Sequence, residues 1–382
     1  MMQAICNDST AISLPTNLSA RTAGNFGKKP LRLSSFITLL CFPGLLSAQI
    51  LATAGPGGGS QLNFTGMCDA SAAVAIDDQH ILVAEDEVDI LYLYRFDNPA
   101  NHPVGPGFDF SAQLRENPRR ETDIEDAVRV GNRVYWIASH GRNKDGKKRP
   151  NRHRFFATDV AGSADQFQVT WVGKHETLLA DILKPETWVG RDLKTAEKVR
   201  EVIREAAEPS AKKAKRLAPK NEGLNIEALA ASRDGRSLFI GFRNPLLDGQ
   251  AIVLELANPD ELVEKEGATA SIRRAILLDL GGLGLREMIY SEVLASYVLI
   301  AGAAESGGIF KLFQWDGGSK VTLMRHLEAR KNSSPEALVE FSDQRRLLIL
   351  NDEGTRPVGD LECKAVPPEE RSFTGAWYEL PQ

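Results

Sequence analysis

Histidine and cysteine are scarce, six and four in 382 residues, and the few present do not fall at metal-binding spacings. There is no HExxH and no paired-cysteine run, so the usual zinc sites are excluded. A GxSxG elbow is also missing, which removes the serine-hydrolase arrangement built on that turn and leaves Ser139 and Ser306 weak as nucleophiles. Asp86, Glu87 and Asp89 lie close together but lack the glycine and the ligand spacing of a calcium loop. Excess charge of one sign is lacking too. With a net charge of −5 and a pI near 5.8, no basic field exists to hold a phosphate backbone, and nucleic acid is not an expected partner. The chain is nevertheless 42% hydrophobic and 25% charged, a balance that supports a large folded core rather than disorder.

One uncharged apolar run occurs, LSSFITLLCFPGLL at residues 33–46, preceded by Lys28, Lys29 and Arg32 and followed by small residues. It reads as a secretory signal cleaved after Ala48 or Ala54, with an uncleaved anchor over residues 33–52 as the alternative. Pro43 and Gly44 in its middle favour cleavage. The expected organisation is a signal and flanking segment at 1–54 and a single domain at 55–382, in a periplasmic or secreted protein with no stable membrane span. Cys6 and Cys41 would leave with the signal. Cys68 and Cys363 would remain, either as a disulfide stapling the two ends of the mature chain or as two buried thiols.

Self-similarity runs through the rest. Five segments share an acidic or polar lead into an apolar strand: DASAAVAI from Asp69, DIEDAVRV from Asp123, NIEALAAS from Asn225, LREMIYSE from Leu285 and SPEALVEF from Ser334. Aligned this way, Glu125, Glu227, Glu287 and Glu336 share one position, with Ser71 in the first segment. A second, very apolar strand follows each, as in HILVAEDE, RVYWIASHGRN and SLFIGFRNP, then a third and usually a fourth. Spacings of roughly 50 to 60 residues suit a four-stranded propeller blade. The fold expected is all-β, a five-bladed β-propeller, with six blades the alternative. An orphan strand, QLNFTG from Gln61, is placed to complete the last blade and remove the exposed edges.

The gap between the second and third units is about twice as long and holds a helical insertion at 180–220. Leu193, Ala196, Val199, Ile203 and Ala206 fall at helical spacing, Glu201 and Arg204 pair on the outer side, and Pro209 ends the pattern. A basic run follows: Lys212, Lys213, Lys215, Arg216 and Lys220. It is either a solvated linker or a lid, and as a lid it would favour a protein-interaction platform.

In an antiparallel blade the start of the innermost strand and the end of the second lie at the same end of the sheet. That gathers Asp69, Ser71, Asp123, Glu125, Glu227, Glu287 and Glu336 with Asp86, His140, Arg142, Asn143, Arg243, Asn244 and Asp352 around one mouth of the central channel. Carboxylates crowded there need a divalent cation, Ca²⁺ or Mg²⁺ by their hardness, or guanidinium groups, or shared protons. Channel glutamates also serve simply to accept backbone hydrogen bonds. His140 is the one histidine placed at this face and would be the proton-transfer group, with Glu227, if chemistry occurs. Glu125, Glu287, Glu336, Arg142, Asn143, Arg243, Asn244, Asp86 and Asp352 would hold the ligand.

YWIASHGRNKDGKKRPNRHRFFA and NIEALAASRDGRSLFIGFRNPLLDGQAIVLEL, together with DASAAVAI and AEDEVDILYLYRF, resemble a bacterial domain of unknown function, the family numbered 3616. The likeness covers nearly everything after about residue 66. The glutamate-led repeats more loosely resemble phytase-like propellers, which implies phosphoester chemistry as analogy alone; the dense aspartate clusters of a calcium-dependent phytase site are missing. The expectation is an exported propeller binding a small anionic or sugar-like ligand, a divalent cation, or both. The alternatives are a metal-assisted phosphoesterase or lactonase in the same funnel, and an interaction platform.

Overall fold

Strands buried on one face alternate apolar and polar residues, whereas the second strand of each repeat is apolar almost throughout, as suits a strand covered on both faces. The computed structural model describes residues 61–85, 87–96, 101–163, 166–208, 217–219, 222–303, 308–328, 330–342 and 344–381, all within the unit Leu51–Gln382. The signal-like segment, Asp86, Pro209 and the five basic residues of the insertion lie outside them.

Strand β1 (Gln61–Thr65) leads. The first blade is β2 (Ala72–Ala75), β3 (His80–Ala84), β4 (Ile90–Arg95) and the short β5 (Phe108–Asp109), followed by α1 (Ser111–Leu114). The second is β6 (Ile124–Val130), β7 (Arg133–Ala138), β8 (Phe155–Ala161) and β9 (Gln168–His175). Helices α2 (Leu178–Ile182) and α3 (Leu193–Ala207) come next. The third blade is β10 (Asn225–Ala231), β11 (Leu238–Asn244), β12 (Ala251–Leu256), helix α4 (Pro259–Glu264) and β13 (Ile272–Leu278). The fourth is β14 (Gly284–Ser291), β15 (Ser296–Gly302), β16 (Phe310–Trp315) and β17 (Val321–Leu327). The fifth holds β18 (Ser334–Glu340) and β19 (Arg346–Asp352), a small hairpin of β20 (Pro357–Val358) and β21 (Leu361–Glu362), and β22 (Ser372–Glu379).

The sheets are five four-stranded antiparallel meanders and the hairpin, and the protein is a five-bladed β-propeller. Its fifth blade runs β18-β19-β22-β1, with Gln61 opposite Ala376 and Thr65 opposite Ser372, so the two ends of the described chain close the ring as expected. Inner strands pack in a circle, β2 on β6, β6 on β10, β10 on β14, β14 on β18 and β18 back on β2.

Each gap between blades has its own apolar core. Along β7, Val134 and Trp136 face the first blade, where they meet Leu82, Leu91 and Leu93. Tyr135 and Ile137 point the other way, toward Ile226, Leu229 and Ile240 of the third blade. The two-residue period therefore divides one strand between two cores. Exposure grows outward: β11 and β15 are buried at every position, while β17 is exposed at four of seven.

Cys68 and Cys363 are joined in a disulfide, their Cα atoms 6.0 Å apart and 295 residues apart in sequence. It ties the lead of the first blade to the loop before β22, beside the closing seam.

The insertion does form a helix. Asp192 caps α3 by accepting from the Thr195 amide (3.1 Å), and Ala196, Val199, Ile203 and Ala206 are buried. Leu193, counted in the apolar stripe from sequence, is instead 61% exposed at the first turn. The buried face completes the core between the second and third blades, and Val189 donates its amide to Ile272 of the outer strand β13 (2.9 Å). The helix thus buttresses the side of the ring; among the described residues of the insertion, Ala218 and Pro219, further along, border the funnel. Among the described residues no helix is long and apolar enough to cross a membrane.

Candidate functional site

Inner-strand starts and second-strand ends meet at one mouth of the channel, in a funnel of about 620 Å³. Of the residues assigned from sequence, Glu125, Glu227, Glu336, Arg142, Asn143, Arg243 and Asp352 line it. Asp86 lies outside the described residues. His140, Asn244 and Glu287 do not line the funnel, and each departs for a local reason.

Glu287 departs because the repeat slips by one residue in the fourth blade. Every inner strand from the second blade onward carries a bulge, one residue skipped in the register with its neighbour. The skipped residue is Glu125 in β6, Glu227 in β10 and Glu336 in β18, but in β14 it is Arg286. Glu287 therefore corresponds to Asp126, and both are buried below the funnel (1% and 0% exposed). Once the strand pairing is known, Leu285 aligns with Ile124 and Ile226, and arginine, not glutamate, falls on the bulge.

Arg286 makes the floor of the funnel a charge network. Arg243 Nη1 donates to Glu227 Oε1 (2.7 Å), while Arg286 Nη1 lies 3.2 Å from Glu227 Oε2 and 3.0 Å from Glu336 Oε1. Asn225 also donates to Glu227. Three blades, the third, fourth and fifth, are thus linked through the Arg286 guanidinium. Gly302 leaves room for this reach, since a Cβ there would lie 3.2 Å from Arg286 Nε and 2.8 Å from the Phe310 ring. On the adjoining wall Arg152 bridges Asp123 and Glu121, both at 2.7 Å. Among the described residues, eight carboxyl and seven basic side chains line the cavity. Burial, with the Asp352 charge adding to it, pushes the Glu336 carboxyl up to about 8 against the pull of Arg286. Burial also raises Asp123, offset in part by Arg152.

Guanidinium groups, one of the three means of neutralisation expected from sequence, thus face Glu121, Asp123, Glu227 and Glu336. Among the described residues no three His, Cys, Asp or Glu side chains are grouped to hold a metal ion. Arg152 Nε, Arg286 Nε and Asn225 Oδ1 are buried without a hydrogen-bond partner among the described residues.

His140 has a left-handed backbone (φ 54°), and its ring lies in a separate cavity of about 70 Å³ with His153, Ala206, Ala207 and Leu224. Its Nδ1 is 2.7 Å from the Ala138 carbonyl, and burial pushes it down to about 3, so it stays neutral and is unsuited to shuttle protons near neutrality. Asn244 turns its amide to the Pro219 carbonyl (2.6 Å). Asn143 borders the funnel, but its Oδ1 accepts from the Lys147 amide (2.7 Å) and so shapes the 143–147 turn. Arg142 donates from Nη2 (2.9 Å) and Nε (3.3 Å) to the Ala207 carbonyl at the end of α3. Arg142, with His140 and His153 beside it, therefore helps to seat the inserted helix. Arg142→Ala should leave the ring folded and speed amide exchange across α3 by about tenfold, the loss of ~1.4 kcal/mol of charge-assisted capping; unchanged exchange there would remove Arg142 from this role.

Several lining residues were not singled out from sequence: Glu121, Arg149, Asn225, Arg286 and Lys364. Lys364 reaches Glu87 at 2.7 Å across the rim, from the loop after β21, a contact that no local pattern could announce.

Solved structures of similar fold include a putative oxidoreductase (glucose dehydrogenase) from Thermus thermophilus, at 10% identity over 84% of this chain and 100% of that one, TM-score 0.41. The β-propeller domain of Cps50 (Swd1) from Myceliophthora thermophila matches at 9% identity, 81% of this chain and 82% of its own, TM-score 0.34. A putative 6-phosphogluconolactonase from Bacteroides uniformis matches at 11% identity, covering 74% and 64%, TM-score 0.33. Likeness at this level concerns fold alone and says nothing of chemistry. No curated protein matches the sequence. Residues 69–346 match the family described as Protein of unknown function (DUF3616), and the chain belongs to that family.

Proposed function

We propose that this is an exported propeller that binds a small polyhydroxylated ligand bearing a carboxylate or phosphate in its funnel. The observation that carries the reading is the floor network of Glu227, Arg243, Arg286 and Glu336, open to a cavity of about 620 Å³, within the range of small-molecule sites. Paired carboxylates and guanidinium groups hold acceptors and donors at fixed spacings, as vicinal hydroxyls require, and buried guanidinium nitrogens suit an anionic group. Export is supported by the signal-like segment and by the Cys68–Cys363 bond, since disulfides persist in oxidising compartments.

The test is thermal unfolding with gluconate, glucuronate and glucose 6-phosphate. A ligand at about 100 times its Kd adds ~2.7 kcal/mol, and Glu125→Gln should weaken binding about tenfold by removing one charged hydrogen bond. If none of the three raises the unfolding temperature, the reading fails. A second reading, hydrolysis, rests on Glu336, a carboxyl that keeps its proton to about 8 near the Asp352 charge, a disposition suited to general acid catalysis. Turnover of chromogenic glycosides or lactones that Glu336→Gln abolishes would favour it over simple binding.

A further inference from the structure

Because the second to fifth blades share one bulge, their core positions can be compared one by one. On the second strands Trp136, Ile240, Leu299 and Ile349 stand at the same distance from it. Each faces the core shared with the blade before its own, and its cross-strand neighbour on the third strand faces the same way. Those neighbours are Phe156, Leu254, Phe313 and, in the fifth blade, Ala376. Phe156 and Leu254 are fully buried and Phe313 is 7% exposed. Ala376 is exposed, although β22 lies between β19 and β1 in its sheet.

A side chain of one carbon where the other blades place a ring or a leucine leaves a cleft of about 270 Å³ between the fourth and fifth blades. Its apolar lining is Leu327 from β17 with Ile349, Ala376 and Tyr378, and Leu327, Ile349 and Tyr378 belong to the core between these two blades. Basic groups stand over it. The Arg325 guanidinium lies 5.6 Å from the centre of the Tyr378 ring, and Arg330, in the connection between β17 and β18, donates from Nη2 to Gln61 Oε1 (2.9 Å). Glu328 is the single acid among the described lining residues, against two arginines. The cleft shares none of its described lining residues with the funnel.

We propose that this cleft is a second binding site, taking a small carboxylic acid whose body is an aromatic ring or a branched alkyl chain. The body would lie on Ile349, Ala376 and Leu327, where phenylalanine or leucine completes the other blades, and its transfer from water supplies the attraction. The carboxylate would accept from Arg330 and Arg325, whose planar guanidinium groups match its two oxygens. An apolar floor with a few polar groups at one side is the common form of a small-molecule site. A sugar would set hydroxyls against Leu327 and Ile349 without partners, and a plain hydrocarbon would make no use of the two arginines. The proposal does not depend on which ligand the funnel takes.

Calorimetric titration and thermal unfolding of the whole protein with benzoate, phenylacetate and isovalerate test this. At least one of the three should bind saturably and raise the unfolding temperature. Ala376→Phe gives the fifth blade the ring that the second and fourth already carry, so it should fold and lose that binding by about tenfold or more. Ala376→Leu, after the third blade, takes its place should the ring not be accommodated. Arg330→Gln removes the charge and leaves the floor intact, and should weaken binding about tenfold, the loss of one charged hydrogen bond. The proposal is overturned if none of the three acids binds the wild-type protein, or if the acid that binds does so equally well when position 376 is filled, since it would then lie elsewhere.

Discussion

Breaking the Cys68–Cys363 bond is expected to lower the stability of the propeller by about 4–5 kcal/mol, because the bond closes a span of 295 residues and the entropy it removes from the unfolded chain grows with the logarithm of loop length. The location adds to the argument. A propeller's weakest seam is where its ends meet, and here that seam rests on five residue pairs between β1 and β22 and on the core between the fifth and first blades, where Phe64 stacks on Phe373 at 4.8 Å. Nearby, the Glu353 amide donates to the Cys68 carbonyl (2.9 Å), but this bond holds only while the ends remain together. Guanidinium denaturation with and without a reductant, repeated on a Cys68→Ser/Cys363→Ser double variant, measures the effect. Reduction should also steepen the denaturant slope, since the unfolded chain freed of its link exposes more surface. Equal midpoints and slopes in the oxidised and reduced protein would show that the seam holds without the bond.

Blade number, ring closure and the inserted helix were legible in the sequence because each depends on local pattern. Apolar second strands such as SLFIGFRNP report burial on both faces, and QLNFTG stands alone with nothing beside it in sequence to pair with. The direction of the glutamates was legible too, since strand polarity alone sends Glu125, Glu227 and Glu336 to one mouth. What sequence could not show was a register one residue out of step. In a strand with a bulge the face taken by each side chain changes at the skipped residue, so LREMIYSE reads equally well with Glu287 or Arg286 at the funnel, and only pairing with Ser296–Gly302 decides. His140 misled for a related reason. Its place after an apolar strand suggested the funnel, but a left-handed backbone at that residue accompanies a ring seated beneath α3, and no spacing rule announces a positive φ at histidine.

Of the funnel side chains, Glu227 should prove the most costly to remove: Glu227→Ala is expected to destabilise the fold by about 3–5 kcal/mol, the cost of leaving a buried charge without its partner. Glu227 is 4% exposed and faces Arg243 and Arg286, 5% and 3% exposed, so the variant would take a counter-charge from two guanidinium groups where water has little access. Arg286 keeps Glu336 as a partner, but Glu336 is itself a weak counter-charge near neutrality, its carboxyl being pushed up to about 8. The loss of Glu227 should therefore draw Glu336 into its ionised form and lower its pKa, partly offsetting the damage at high pH and less so in acid. Glu227→Gln keeps an acceptor for Arg243 without the charge and should cost less than the alanine variant. Urea denaturation at about pH 6 and pH 9 separates these effects: the alanine penalty should be larger in the more acidic buffer, where Glu336 holds its proton. Pairing Glu227→Ala with Arg243→Ala in a double-mutant cycle should then show strong coupling, with the double variant less damaged than the sum of the singles. A penalty below about 1 kcal/mol, the range of an exposed ion pair, would mean that the floor network is solvated and does not hold the three blades in register.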